Sequence, residues 1–238
     1  VRGMNFIHSL IDKRVDGVLI MSSSVSELWI DELRKNNVPV VISDWKPDYE
    51  ASGMGVIDVD FETGIEDAVN HLIGLGHTRF AHVSGPLELR TARNRRDLFL
   101  QALSKHGIPA EEVSIAEGNL QIDGGRRAME YILNLSVRPT AIFSANDLMA
   151  IGMITEARMA GLQVPNDLSI VGLDNIWLSD QIEPPLTTVA LPRNKIGQTG
   201  MEMLFELMAA SDKEDTSMIR RQVHSSLVAR KSSGPAPG

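Results

Sequence analysis

The 238-residue chain contains no cysteine. That excludes disulfides, thiolate metal sites and a thiol nucleophile. It suits the cytoplasm, as it would a disulfide-free periplasmic protein. Basic charge is also in short supply: 23 Lys and Arg stand against 31 Asp and Glu, a formal net charge of −8. Nucleic-acid binding rests on clustered Lys and Arg, so a chain this acidic is not expected to hold DNA by its bulk charge. No apolar run reaches the roughly 18 residues of a membrane span. The opening Val1–Phe6 is not a basic run followed by a long apolar stretch, so it does not read as a signal peptide. Catalytic signatures are missing too. There is no G-x-S-x-G elbow, no Walker loop and no H-E-x-x-H. The six histidines (8, 71, 77, 82, 106 and 224) show no ligand spacing, so neither a metal nor a cofactor is expected.

What is present is ordinary globular material, 43% apolar and 23% charged. The length allows one large domain or two small ones, at roughly 100–200 residues per domain. Short apolar runs alternate with helical periodicity. Strands are expected at Val15–Met21, Val38–Ser43, Gly55–Val59, Arg79–Ser84, Ala141–Ala145, Leu168–Leu173 and Leu186–Leu191. Between them, helices are expected around Phe6–Val15, after Ser26, and over Gly64–Leu75, Ala92–His106, Asp123–Leu133, Asp147–Ala160 and Asn194–Ala209. Ile219–Val228 alternates weakly and reads as an edge strand. Ser232–Gly238 is polar, rich in Pro and Gly, and is expected to be disordered. Continuous apolar strands separated by helices predict an α/β fold with parallel sheet covered on two faces. The chain opens on a helix with no strand before it, so the opening looks incomplete.

In open parallel sheets, ligands bind beyond the carboxyl ends of the strands. Asn146 and Asp174 follow two such strands, and Thr91 and Arg95 lie at the start of the helix after a third. Each has an ordinary alternative. Asn146-Asp147 is a good helix N-cap, Asp174-Asn175 a turn, and Arg95 one of a solvated cluster with Arg90, Arg93 and Arg96. Gly74-Leu75-Gly76 resembles the start of a dinucleotide loop but ends a helix, where a C-cap is expected. Asp58 and Asp60 at a strand end suggest a phosphatase or hydrolase centre, although Glu62 stands where such a pattern wants Thr or Val.

The stretches Gly76-His77-Thr78-Arg79, Ser84-Gly85-Pro86 and Thr91-Ala92-Arg93-Asn94-Arg95 resemble the LacI/GalR (lac-repressor) family. So do Arg138–Gly152, Gly161–Pro165, Leu168–Asn175 and Pro184-Pro185-Leu186-Thr187-Thr188-Val189. The resemblance runs from about Phe6 to Lys231 and is to the effector-binding core; the family's helix-turn-helix, hinge helix and first core elements have no counterpart in it. It implies two doubly wound parallel-sheet subdomains of periplasmic-binding-protein type joined by three crossovers, near Val83, Leu191 and Met218. The first subdomain would be 1–82 plus 193–217 and the second 84–190 plus 219–238.

The resemblance also implies roles. Arg95 matches an arginine that hydrogen-bonds sugar hydroxyls, and Asn146 and Asp174 match groups that read the remaining ones. Leu89 and Thr91 match ligand-facing positions, and Asp60-Phe61 falls at the rim of the cleft. Leu120 stands where an aromatic residue often stacks on the ligand, leaving Trp45, Phe61 or Trp177 as substitutes. The implied function is effector sensing for a cytoplasmic, homodimeric transcriptional regulator, with a sugar as effector. Operator DNA would be bound only through an attached module, and no chemistry would be catalysed. A transporter's extracytoplasmic sugar-binding protein is the first alternative, and the Asp58/Asp60 hydrolase the second.

Overall fold

A computed structural model describes residues 2–22, 25–44, 53–210 and 218–238. In chain order the elements begin α1 (Arg2–Asp12), β1 (Val18–Ile20), α2 (Glu27–Lys35), β2 (Val40–Ser43) and β3 (Met54–Asp60). There follow α3 (Glu62–Gly74), β4 (Phe80–Ser84), α4 (Arg90–Ser104), β5 (Ser114–Glu117), α5 (Ile122–Leu133) and β6 (Ala141–Ser144). The remainder is α6 (Asp147–Met159), β7 (Ser169–Asp174), β8 (Thr187–Ala190), α7 (Arg193–Ala210), β9 (Ile219–His224) and β10 (Ser226–Val228). Two compact units result: Val1–Asp60 with Pro192–Val223, and Phe61–Leu191 with His224–Gly238.

The first unit holds a four-stranded sheet in the order β1-β2-β3-β9, with β1, β2 and β3 parallel. Successive side chains of a strand point to opposite faces, so a strand covered on both sides must be apolar throughout. In β2, Val40 and Ile42 pack with Ile7, Ile30 and Leu33 of α1 and α2. Val41, between them, packs with Ile196, Met203 and Leu207 of α7. Asp58 on β3 is bound by Arg220 on β9 through both carboxylate oxygens, each at 2.9 Å. That ion pair gives Asp58 a partner within its own sheet.

The second unit holds a six-stranded sheet in the order β10-β8-β7-β6-β4-β5. Its strands are parallel except β10, which runs antiparallel to β8 at one edge. On one face Ala81, Val83, Ile142 and Ile170 form a core with Met129 of α5 and Met149 and Met153 of α6. On the other, Phe99 of α4 stacks on Phe143, with ring centroids 4.9 Å apart. The His82 ring stacks against both, at 5.4 and 5.7 Å. Helices α3, α4 and α6 stop at Gly76, Gly107 and Gly161, each in the left-handed region, as their sequence position predicts.

Several expectations need correction. The first unit ends at Asp60 rather than near residue 82. β4 is hydrogen-bonded between β5 and β6, and α3 carries Gly64, whose amide donates to Ser225 Oγ in the second unit. The last crossover falls at Val223, not Met218, because β9 continues the first sheet to His224. The short edge strand β5 has no counterpart among the expected strands: among the described residues it pairs only with β4, and it buries only Ala116. Finally, the tail is not disordered. Ser232 is fully buried; it donates through Oγ to Ile170 O and accepts there from Thr187 N. Further on, Gly234 N donates to Ser169 Oγ, and Ala236 N donates to Leu75 O. A Pro- and Gly-rich tail orders when its backbone groups find such partners.

His82 is a test of this core. It is fully buried, and its Nδ1 donates to Phe143 O at 3.0 Å. Burial pushes its imidazole down from the ordinary 6.5 to about 4. Above pH 6.5 the ring is neutral in both folded and unfolded chain and contributes nothing. As pH falls from 6.5 towards 4, the unfolded chain takes up a proton that the folded one excludes. Stability should therefore fall by about 3 kcal/mol across that window. Urea midpoints measured from pH 7 to 4.5 should decline less steeply in His82→Phe than in the wild type, and equal slopes would contradict the assignment.

Candidate ligand-binding site

Because the strands of the second sheet are parallel from β8 to β5, their carboxyl ends lie together. Ser84-Gly85 leaves β4, Ala145-Asn146 leaves β6, and Asp174 is the last residue of β7. The parallel register pairs Val83 with Ser144 and Phe143 with Val171. Asn146 and Asp174 thus come to one end of the sheet by topology alone.

Arg95 reaches the same end from α4. It lies one helical turn after Thr91, so the two share a face of the helix. Its Nη1 donates to Ala145 O at 2.7 Å. Its Nη2 faces Asp174 Oδ1 at 3.5 Å, longer than the 2.7–2.9 Å of a close charge-assisted bond. Below it lies the Phe61 ring, with the guanidinium carbon 4.9 Å from the ring centroid. Such a cation–π contact contributes about 0.5–2 kcal/mol, more as it is desolvated. Arg95 Nε is buried and has no hydrogen-bond partner among the described residues. Arg95 is therefore not part of the solvated cluster: Arg90 and Arg93 are exposed, Arg93 donates locally to Leu87 O, and Arg96 pairs with Asp97.

Asn146 is the N-cap of α6. Its Oδ1 accepts from Met149 N at 3.0 Å, and its Nδ2 donates to Leu120 O at 2.9 Å. The cap expected as the ordinary alternative is present. The amide retains one further N–H and one further lone pair for a ligand. Leu120, at φ +63, packs its side chain over Gly85 and against the core. Leu89 is the N-cap residue of α4, with Thr91 half-buried just inside the helix. Phe61 is buried at the start of α3. Asp60 closes β3 and belongs to the first unit. Trp45 lies outside the described residues. Trp177 sits in a short 3₁₀ helix, Trp177–Asp180, and is 79% exposed.

The turn expected at Asp174-Asn175 is also real, and it is strained. Asp174 has φ +120 and Asn175 φ +50. A residue held in a sparsely populated region costs about 1–3 kcal/mol and persists only where its surroundings over-determine it. Here they do. Ile176 N donates to Asp147 Oδ2 at 2.8 Å, and Thr188 Oγ1 donates to Asp147 Oδ1 at 2.6 Å. Asp147 is fully buried. It lies so close to Gly172 that a Cβ there would come within 2.3 Å of its Oδ1. Asn175 N donates to Thr188 Oγ1, and Asn175 Oδ1 accepts from Arg230 Nη2 at 2.8 Å. Asp147, Thr188 and Arg230 were not singled out from the sequence. Asp147 was visible only as half of a cap, and nothing local links Arg230 to a turn 55 residues earlier.

No helix among the described residues is long and apolar enough to cross a membrane. No cluster of His, Asp or Glu among them is placed to hold a metal ion.

Residues 69–233 match the model of the periplasmic binding protein-like domain. The chain is 38% identical over 229 residues to the HTH-type transcriptional repressor PurR of Aliivibrio salmonicida, spanning 96% of this chain and 67% of that protein. It is 37% identical over 204 residues to the repressor CytR of Escherichia coli, spanning 85% of this chain and 59% of that one. The chain thus spans about three-fifths to two-thirds of the length of these curated relatives. Among solved structures, a LacI family transcriptional regulator from Enterococcus faecium with bound ribose superposes with a TM-score of 0.85. The two are 28% identical, with 97% of this chain and 84% of that chain covered. The lac repressor dimer bound to operator and an anti-inducer superposes with a TM-score of 0.79 at 29% identity, covering 96% and 77%. With its two α/β units, its parallel sheets and these relatives, the chain belongs to the LacI family of transcriptional regulators, whose periplasmic-binding-protein-like core it carries.

Proposed function

We propose that this chain senses a sugar, or a polyol of similar size, for a cytoplasmic transcriptional regulator, and that it performs no chemistry. Arg95, Asp174 and Asn146 read the hydroxyls, Thr91 adds a polar side, and Phe61, Leu89 and Leu120 supply apolar ones. Asp60 and Trp45 belong to the proposed set on the family resemblance alone. Operator binding belongs to an attached module, and the regulator works as a homodimer; the operator-bound lac repressor dimer supports this.

The observation that carries the reading is the Arg95–Asp174 pair. A guanidinium anchored by one nitrogen, with Nε lacking a partner among the described residues, faces a carboxylate across a loose 3.5 Å gap. A diol has adjacent hydroxyls that each donate and accept, and so satisfies both groups at once. The ribose-bound neighbour supports a pentose-sized ligand. Relatives named as repressors support regulation over transport, and the Asp58–Arg220 pair disfavours the hydrolase.

The test is a melting screen of sugars, nucleosides and phosphorylated sugars. A ligand at 100 times its Kd stabilises the folded state by about 2.7 kcal/mol. For a chain of this size that raises Tm by roughly 5–10 °C. A nucleobase that shifts the melt while no sugar does would overturn the ligand class.

A further inference from the structure

Arg230 follows β10, on the segment that returns to the sheet edge after the last crossover. It makes no contact that the sugar-binding reading requires, yet it is half-buried and makes four hydrogen bonds. Its Nη2 donates to Asn175 Oδ1 at 2.8 Å. Its Nη1 donates to Leu186 O at 2.7 Å and to Ser179 Oγ at 3.2 Å. Its backbone N–H donates to Thr187 Oγ1 at 2.9 Å. These acceptors mark the start, middle and end of the connection from β7 to β8. One planar fork therefore gathers the whole connection.

The start of that connection is the strained pair Asp174-Asn175. Asn175 Oδ1 also lies 3.2 Å from Ser179 Oγ, whose single proton is shared with Ile176 O at 2.7 Å, so Arg230 and Ser179 converge on the residue next to Asp174. We propose that Arg230 is a positioning residue for ligand recognition: by holding Asn175 against the β7–β8 connection, it keeps the Asp174 carboxylate turned towards Arg95. This rests on the reading of Asp174 as a ligand-binding group. A lysine cannot do the same work, because an ammonium is a point donor and cannot span three acceptors in a fixed plane.

The experiment has two arms. The first needs no ligand. Amide hydrogen exchange is followed in the unliganded wild type, in Arg230→Lys and in Asn175→Ala, which removes one acceptor and leaves the contacts to Leu186 and Thr187. Exchange at Ile176 and Ser179 should be at least tenfold faster in both variants, while Ile170 and Val171 in β7 keep their wild-type rates. The second arm titrates D-ribose. Both variants should bind it at least tenfold more weakly than the wild type, and Arg230→Lys should fail to rescue. Unchanged exchange at residues 176–179 in both variants overturns the proposal. So does faster exchange with wild-type ribose affinity, which would make Arg230 merely structural. If the wild type does not bind ribose, the choice of ribose as ligand fails. The exchange arm then decides whether Arg230 holds the turn.

Discussion

Asp147→Ala should lower the stability of the second unit by about 3–5 kcal/mol. The carboxylate is fully buried and accepts from Thr188 Oγ1 at 2.6 Å and from Ile176 N at 2.8 Å. Removing it leaves the buried Thr188 hydroxyl and the half-buried Ile176 N–H without this acceptor, each at about 1–3 kcal/mol. The lost carboxylate also leaves a small void beneath Gly172, whose missing Cβ is what lets Asp147 approach. The Ile176 bond is one of those that hold the strained turn at Asp174. Ligand affinity should therefore fall in parallel with stability. Asp147→Asn keeps the shape and one acceptor, so it should cost less than the alanine variant. Urea unfolding at pH 7 checks the order. Wild-type stability in Asp147→Ala would mean that the site relaxes enough to satisfy its own donors.

Arg95→Ala should weaken sugar binding by at least a hundredfold. A hydrogen bond to a charged group contributes about 1.5–3 kcal/mol, and the guanidinium offers more than one to a diol. Its removal also leaves Asp174 without its 3.5 Å partner and takes the cation from the Phe61 ring. Arg95 also ties α4 to the end of β6 through Ala145 O. The unliganded variant should thus lose about 1–2 kcal/mol as well, a smaller change than the loss in binding. Arg95→Lys keeps the charge but not the fork, and should recover only part of the affinity. Titration calorimetry with the ligand found by melting separates the three proteins. Wild-type affinity in Arg95→Ala would remove this residue from the site.

The fold was legible where burial on two faces forced continuous apolar strands, as in Val40–Ser43 and Ala141–Ser144. It was not legible in β5, an edge strand with a single buried residue, because an edge demands little of its side chains. The unit boundary was misplaced for a related reason. α3 has an ordinary amphipathic pattern, and which sheet it covers depends on partners such as Ser225, 161 residues away. The order of the tail is not legible because it comes from single bonds to β7 and β8, Gly234 N to Ser169 Oγ and Thr187 N to Ser232 Oγ, which composition does not encode.

For the site, two polar residues at strand ends and a third on the helix after another strand are legible, and the structure places Asn146, Asp174 and Arg95 at one end of one sheet. What spacing could not show is how far each is already engaged. Asn146 commits half of its amide's hydrogen-bonding capacity to the helix cap and Leu120 O, whereas Arg95 Nε has no partner among the described residues. The residues that hold Asp174 in place were invisible for another reason. Asp147, Thr188 and Arg230 meet the turn only through the fold, and each is an ordinary cap, strand or tail residue in its own neighbourhood.

The central claim is that the Arg95–Asp174 pair reads the hydroxyls of a sugar. A crystal structure of the chain with the sugar that most raises its Tm tests it most directly. The account predicts two adjacent hydroxyls within hydrogen-bonding distance of the Asp174 carboxylate and the Arg95 guanidinium, with Arg95 Nη1 still on Ala145 O. A sugar bound elsewhere, with the Arg95–Asp174 gap unchanged and unoccupied by any ligand oxygen, would contradict it.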